Sequence, residues 1–345
     1  MRIKDAYTIC SSFPMFYHRE EGGMVIFSYH WQDPTVYNTN PLSRELRGIV
    51  FDKETGEIIA RPFPKFFNLG ETGCVVSSDD VVSANEKIDG SLATAFIHDS
   101  KIRFASKGSL NSWVTEKAEK LMTTNHKSLI HDLYDQRFTP IFELIDTDNP
   151  IVIEYPRSEL VFIGARNIDT GDLLTPEEIE EVGRQYSVPF TRIQYKNMRV
   201  EEIKKEISDQ EGIEGVVVYA DNQRIAKVKT EWYHRLNKFN PQNFSEKAVI
   251  QAFFDQTLDD IYPSVPEASK KKINTVIQKI NREIQQKIEE VREFFNSIDT
   301  SKMSRKDFAM AVINTRPEMK GVFFAVYDGQ SIEEAVFQYL KKSFK

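Results

Sequence analysis

Two textures divide this chain. From Met24 to about Lys229, short β-branched and aromatic runs alternate with turn-forming residues: Met24-Val25-Ile26-Phe27-Ser28-Tyr29, Gly48-Ile49-Val50-Phe51, Leu92-Ala93-Thr94-Ala95-Phe96-Ile97, Leu160-Val161-Phe162-Ile163 and Gly215-Val216-Val217-Val218-Tyr219. Such runs predict strands of mainly antiparallel sheets. Helices interrupt them near 113–122 and, behind the start signal Thr175-Pro176-Glu177-Glu178, as far as about Tyr186. After Asn240-Pro241 the segments become long and charged, and Ile273, Ile277, Ile280, Ile284, Ile288, Val291, Phe295 and Ile298 recur every three or four residues. That spacing marks one amphipathic helix. The pattern predicts an α+β domain of antiparallel sheets over 1–240, followed by an all-α domain over 241–345. The apolar stripe reads as the core of the second domain in preference to a coiled-coil seam, and no internal repeat or low-complexity segment is visible.

Composition narrows the class. At 345 residues and 40% hydrophobic content the chain can fill two cores. No stretch reaches the roughly 18 to 20 apolar residues of a membrane span, and Met1-Arg2-Ile3-Lys4-Asp5 lacks a signal peptide's apolar core, so a soluble, cytoplasmic protein without membrane attachment is expected. Cys10 and Cys74 are far apart and form no CxxC, which supports two buried thiols and neither a disulfide framework nor a structural zinc site. A net charge of -7 argues against indiscriminate nucleic-acid binding, which needs clustered cations. It leaves room for a local basic cleft. Lys270 to Lys272 and Lys341-Lys342 read as solvated helix faces.

The most informative stretch is Lys87-Ile88-Asp89-Gly90. A Lys-x-Asp-Gly string arises by chance in roughly one chain of this length in ten, and its ordinary reading is a turn with a surface lysine. Here it heads a series: Ser106-Lys107-Gly108, Glu143 within Ile141-Phe142-Glu143-Leu144-Ile145, Glu214-Gly215-Val216-Val217, and Lys227-Val228-Lys229. That order and spacing resemble the covalent nucleotidyltransferases: DNA ligases, RNA ligases and mRNA capping enzymes. The flanks narrow the resemblance. Phe27-Ser28-Tyr29, Arg47-Gly48-Ile49, the run from Arg61-Pro62-Phe63 to Lys65-Phe66-Phe67-Asn68-Leu69, Trp232-Tyr233 and Tyr339-Leu340-Lys341-Lys342-Ser343 are similar to the phage RNA ligase 1 family, whose members repair broken tRNA with ATP.

Each residue type suits that chemistry. A lysine amine must be unprotonated to attack the α-phosphate of ATP, and its reference pKa is about 10.4. Lys227, Lys229 and a divalent ion are expected to depress the pKa of Lys87 while neutralising the triphosphate. Gly90 lets backbone approach the nucleotide, and Asp89 is expected to orient the loop or a metal. Glu143 lies among apolar residues, where a carboxylate needs a partner. It is either an outward-facing strand residue or, by resemblance, the acceptor of a ribose hydroxyl. Phe162 is a candidate to stack on adenine, with core packing an equal reading. Glu214 has the charge of a Mg2+ ligand, with Glu211 the competing acid. Lys227 and Lys229, two apart on a strand, point to one face and can clamp a phosphate; otherwise they guard an exposed edge.

The resemblance implies further assignments. Tyr29, Arg47 and Lys65 match positions that contact ATP, and Lys107 and Tyr233 match others important to activity. Asp259-Asp260 match an acidic pair linked to a divalent ion in the helical domain, although Asp-Asp is also a helix-end signal. The implied function is an ATP-dependent RNA ligase that uses Mg2+ or Mn2+, with an adenylation domain followed by a helical domain that helps choose tRNA. In it AMP passes from Lys87 to an RNA 5′-phosphate, and a 3′-hydroxyl then displaces AMP. Expected partners are RNA, in particular tRNA cleaved in the anticodon loop, and an end-healing kinase-phosphatase that supplies the ends. A monomer is expected, in host cytoplasm if phage-encoded. DNA ligases and capping enzymes usually continue beyond the final Lys-x-Lys into a β-barrel, whereas this chain continues into helices. A catalytically idle RNA-binding protein has no need for Lys87.

Overall fold

The computed structural model describes residues 1–30, 33–239, 244–254, 258, 262, 265, 267–300 and 303–344. The chain divides into two compact units, Met1–His234 and Arg235–Lys345. The boundary expected after residue 240 falls at 240–243, outside the described residues.

The first unit is α+β, with three four-stranded antiparallel sheets. Helix α1 (Ile3–Ser12) precedes a sheet of β1 (Phe16–Glu21), β2 (Met24–Tyr29), β3 (Ile49–Asp52) and β4 (Ile58–Ala60), with α2 (Pro34–Thr39) inserted between β2 and β3. The continuous apolar run of β2 has a simple cause. Val25, Phe27 and Tyr29 enter one core with Ala6, Tyr37 and Phe67, while Met24 and Ile26 enter another with Phe96 and Ala105. A strand buried on both faces loses the polar alternation of a half-exposed one, and even its Ser28 is buried.

The other two sheets frame the chemistry. One is ordered β10-β5-β11-β12, from β5 (Val81–Glu86), β10 (Ile193–Arg199), β11 (Gly215–Ala220) and β12 (Arg224–Lys229). The other is ordered β7-β6-β8-β9, from β6 (Ser91–His98), β7 (Lys101–Ala105), β8 (Phe138–Ile145) and β9 (Glu159–Asn167). Helices α3 (Trp113–Leu121), α4 (Thr124–Asp135) and α5 (Pro176–Gln185) pack on the latter through Val114, Leu129, Ile130 and Ile179. Helix α6 (Val200–Ile207) covers one face of the former. The start signal at Thr175 is a complete capping box: its Oγ1 accepts from the Glu178 N–H, and its own N–H donates to Glu178 Oε2 at 2.7 Å.

Helix α7 (Glu231–Asn237) follows β12 and leads out of the first unit. The second unit is helical among its described residues: α8 (Glu246–Phe254), α9 (Glu267–Ser297), α10 (Arg305–Thr315), α11 (Lys320–Tyr327) and α12 (Ile332–Ser343). The expected stripe is used as an intramolecular core. Ile273, Val276, Ile280, Ile288 and Val291 of α9 are buried, and α9 packs on α8 and α12. Val276 joins the stripe and Ile298 lies beyond the end of the helix. Among the described residues, no helix is long and apolar enough to cross a membrane. Cys10 and Cys74 are free and half-buried, less enclosed than expected.

Candidate active site

Lys87 follows directly on β5, and its backbone N–H donates to the Gly215 carbonyl at 2.9 Å. The loop that carries it is pressed against β8. A Cβ on Gly90 would sit 2.5 Å from the Leu144 carbonyl oxygen and 2.9 Å from Glu143 Cγ, so only glycine permits the approach. Gly215, at φ +141°, is equally constrained: a Cβ there would meet the Val228 carbonyl oxygen at 2.1 Å. The two glycines bring the Lys87 loop, β8 and the start of β11 together.

Glu214 is the hub. Only 3% exposed, it receives Lys87 Nζ on Oε2 and Lys229 Nζ on Oε1, each at 2.8 Å. Glu211 is solvent-exposed, so the structure separates the two acids. Strand pairing sets Lys229 opposite Gly215 and Lys227 opposite Val217. Nor is β12 a bare edge: the Lys227 N–H donates to the Phe67 carbonyl at 3.0 Å, and its carbonyl accepts from the Leu69 N–H at 2.8 Å. Lys227 Nζ lies 4.6 Å from the centre of the Phe66 ring, and Lys229 Nζ 4.6 Å from that of Tyr233.

Asp89 is held by several protein groups. Its Oδ1 accepts from the Tyr233 hydroxyl at 2.7 Å, and its Oδ2 accepts from the Val152 and Ile153 N–H groups at 2.8 Å. Its own N–H donates to the Tyr155 hydroxyl at 3.0 Å. These contacts let Asp89 orient the loop. Tyr155 was not legible as a site residue, because nothing in Glu154-Tyr155-Pro156 distinguishes it from a surface turn.

The cationic side chains share one electrostatic neighbourhood. Burial pushes the Lys65 amine down to about 8, helped by Arg47, Lys107 and Lys229. Burial also holds Lys227 well below the usual lysine range, reinforced by Arg47, Lys87 and Lys65, and lowers Lys107 beside Arg47. Lys107 Nζ sits 4.5 Å from the Tyr29 ring centre, and Arg47 donates to the Phe63 carbonyl. Amines already disfavoured as ammonium ions await an anion. Lys87 differs from expectation. Burial alone would lower it, but the carboxylates of Glu214, Glu143 and Asp89 outweigh burial and hold it above the ordinary range. Glu143 stands opposite Leu92 of β6 and senses Lys87, Glu214 and Arg47; burial raises its carboxyl to about 7. Its strand thus turns it toward the cluster.

Two further positions bear on the sequence reading. Phe162 is fully buried, 5.8 Å from Phe142 ring to ring in the core under α4 and α5, which removes it as an adenine stacking surface. Asp259 and Asp260 lie outside the described residues. Among the described residues, no three His, Cys, Asp or Glu side chains form a preformed metal cage. Glu214, the acid expected to bind metal, has one oxygen against the Lys87 ammonium group and the other against that of Lys229.

Comparisons with known proteins agree with this geometry. The RNA ligase family model of the T4 RNA ligase 1 type matches residues 45–242, more than half of the chain. A Thermovibrio ammonificans protein provisionally named an RNA ligase is 32% identical over 268 residues, covering 73% of this chain and 69% of its own. RNA ligase 1 of bacteriophage TS2126 is 30% identical over 283 residues, covering 75% and 68%. In fold, the chain matches an archaeal ATP-dependent RNA ligase at a TM-score of 0.55 and 19% identity, over 81% of this chain and 79% of the other. With Lys87, Glu214, Lys227 and Lys229 gathered in one cleft of that fold, the chain belongs to the RNA ligase family of the phage RNA ligase 1 type, within the covalent nucleotidyltransferase superfamily.

Proposed function

We propose that this chain is an ATP-dependent ligase that joins RNA 5′-phosphate and 3′-hydroxyl ends through Lys87. The observation that carries the reading is the Lys87–Glu214–Lys229 bridge beside Lys227 and Glu143. One amine sits on a loop, with the lowered amines of Lys65, Lys107 and Lys227 in its neighbourhood. In the first step the N–P bond forms from Lys87 Nζ to the α-phosphorus, the bond to the β-phosphate oxygen breaks, and pyrophosphate leaves. An RNA 5′-phosphate oxygen next attacks the same phosphorus and restores the amine. The 3′-hydroxyl then attacks the RNA 5′-phosphorus and expels AMP. Such transfers need in-line placement and charge stabilisation more than elaborate acid-base groups.

Glu214 would hold a divalent ion, which would supply phosphate neutralisation when bound. Burial favours the free amine of Lys87, while Glu214 is the strongest of the carboxylates that keep it charged, ahead of Glu143 and Asp89. Lys65, Arg47, Lys107, Lys227 and Lys229 receive the phosphates, Tyr29 backs Lys107, Tyr233 holds Asp89, and Glu143 accepts a ribose hydroxyl. The motif resemblance further supports a role in repairing tRNA nicked in the anticodon loop, with an adenylation domain over 1–240 and RNA choice over 241–345. It also supports Asp259 and Asp260 as a second divalent-ion position, supply of ends by a kinase-phosphatase, and a monomer working in the cytoplasm.

The test is incubation with α-labelled ATP or, separately, GTP, with a divalent ion, followed by a denaturing gel. ATP is expected to label the chain, and Lys87→Ala to abolish the label. Label from GTP alone would favour a capping activity, and no label from either would favour an idle RNA-binding protein.

A further inference from the structure

Glu45 lies two residues before Arg47 and joins two buried arginines, Arg61 and Arg166. Its Oε2 accepts from Arg61 Nε at 3.1 Å and from Arg166 Nη1 at 2.9 Å. Its Oε1 accepts from Arg61 Nη2 at 3.3 Å and from Arg166 Nη2 at 2.8 Å. The guanidinium groups also hold main chain. Arg166 donates to the Pro62 carbonyl at 3.0 Å and to the Gly171 carbonyl at 2.7 Å, and Arg61 donates to those of Ile168 and Asp169, each at 3.1 Å. A buried ionic cluster is a weak source of net stability, because desolvation offsets much of its attraction. Its place in the chain gives it another use. Glu45 ends the short 3-10 helix Pro41–Glu45, and the Arg47 N–H donates back to the Glu45 carbonyl at 2.7 Å. Arg61 opens the segment that carries Lys65, whose N–H donates to the Arg44 carbonyl at 2.7 Å. Carboxylate and main-chain bond thus tie the Arg47 turn to the Lys65 segment at two points, and Arg166 fastens both to β9. After burial, Arg47 is the next cause that lowers the amines of Lys65 and Lys227, as like charges held close together do. Cations that repel one another stay together ahead of an anion only where the backbone beneath them is fixed.

We propose that Glu45 is a positioning residue for triphosphate: through Arg61 and Arg166 it holds Arg47 and Lys65 as a preformed pair that meets the phosphates. The inference rests on the reading of Arg47 and Lys65 as phosphate-binding cations.

The experiment measures calorimetric dissociation constants of the full chain and its variants for α,β-methylene-ATP, whose α,β bridge cannot be cleaved, together with melting temperatures. Glu45→Gln keeps the shape and loses the charge, and is expected to weaken binding about 2- to 150-fold without lowering the fraction of chains that bind. In a chain that already carries Arg47→Ala and Lys65→Ala, where Lys107, Lys227 and Lys229 remain to bind the compound, the same change should have no further effect on affinity. Breaking a buried cluster can unfold a chain, so Arg166→Met is the second variant. It leaves Glu45 and Arg61 as a neutral pair, cuts the tie to β9, and should weaken binding in the same direction. Unchanged affinity in Glu45→Gln, or in Arg166→Met where Glu45→Gln does not fold, overturns the proposal. So does an equal loss of affinity with and without Arg47 and Lys65, which would make the cluster a brace for the fold as a whole. If Arg47→Ala with Lys65→Ala leaves the affinity of the parent chain intact, the phosphate-binding reading of those two residues fails instead, a result distinct from the others.

Discussion

A lysine acting as a nucleophile has to be neutral, whereas one held by a carboxylate is favoured as the ammonium ion. Glu214 is bridged to Lys87 and Lys229 at 2.8 Å and favours the charged form of Lys87. Lys227 and Lys229 are placed to meet phosphate, so Lys227→Ala and Lys229→Ala should each lower self-adenylation by about 10²-fold or more while melting temperature moves little. Normal adenylation with a lowered melting temperature would make them structural. Glu143 allows a pH test. Its carboxyl rises from the ordinary 4.5 to about 7, so between these values the folded state binds more protons than the unfolded one, and stability falls as pH rises. Glu143→Gln removes this contribution. Denaturant unfolding at pH 5 and pH 8 should show the variant gaining on the parent chain at the higher pH, and a constant difference would contradict the raised carboxyl.

At the scale of elements, glycines control how closely strands and loops approach. Gly90→Ala should cost roughly 1–3 kcal/mol through overpacking, because its Cβ would meet the Leu144 backbone oxygen at 2.5 Å. Gly321, in α11, is the counterexample: nothing lies within 4 Å of an added Cβ and its backbone is not in the left-handed region. Gly321→Ala should therefore stabilise the chain, by roughly 0.5–1 kcal/mol. Urea titrations of both variants check the two signs, and a neutral Gly90→Ala would mean that the Lys87 loop is not wedged on β8.

For the whole molecule, the first unit contains every described residue of the candidate site, and the second has its own core of aliphatic residues from α9 with Phe294, Phe308 and Phe323. A chain ending near Asn240 is expected to stay folded and to keep some self-adenylation. It should lose any preference for a nicked tRNA anticodon loop over plain linear RNA. Ligation of both substrates by full-length and truncated protein, with circular dichroism to confirm folding, decides it; undiminished preference in a folded truncation would place RNA choice in the first unit.

The chain's own residue order was enough to define the two fold textures, the strands carrying Glu143, Lys227 and Lys229, the strand that follows Glu214, and the common face of the two lysines, because these depend on local periodicity. Tertiary structure decided the rest. The helices that cover one face of β9 bury Phe162 in the core, and a register shift between β8 and β9 follows it, where Phe142 pairs with Phe162 but Ile141 with Gly164. An extra residue in one strand resets which face every later side chain takes. Likewise, the pKa of Lys87 depended on carboxylates distant in sequence, and Tyr155 gained its place from a partner 66 positions away. Periodicity is a property of neighbours along the chain, whereas burial and charge pairing are properties of neighbours in space.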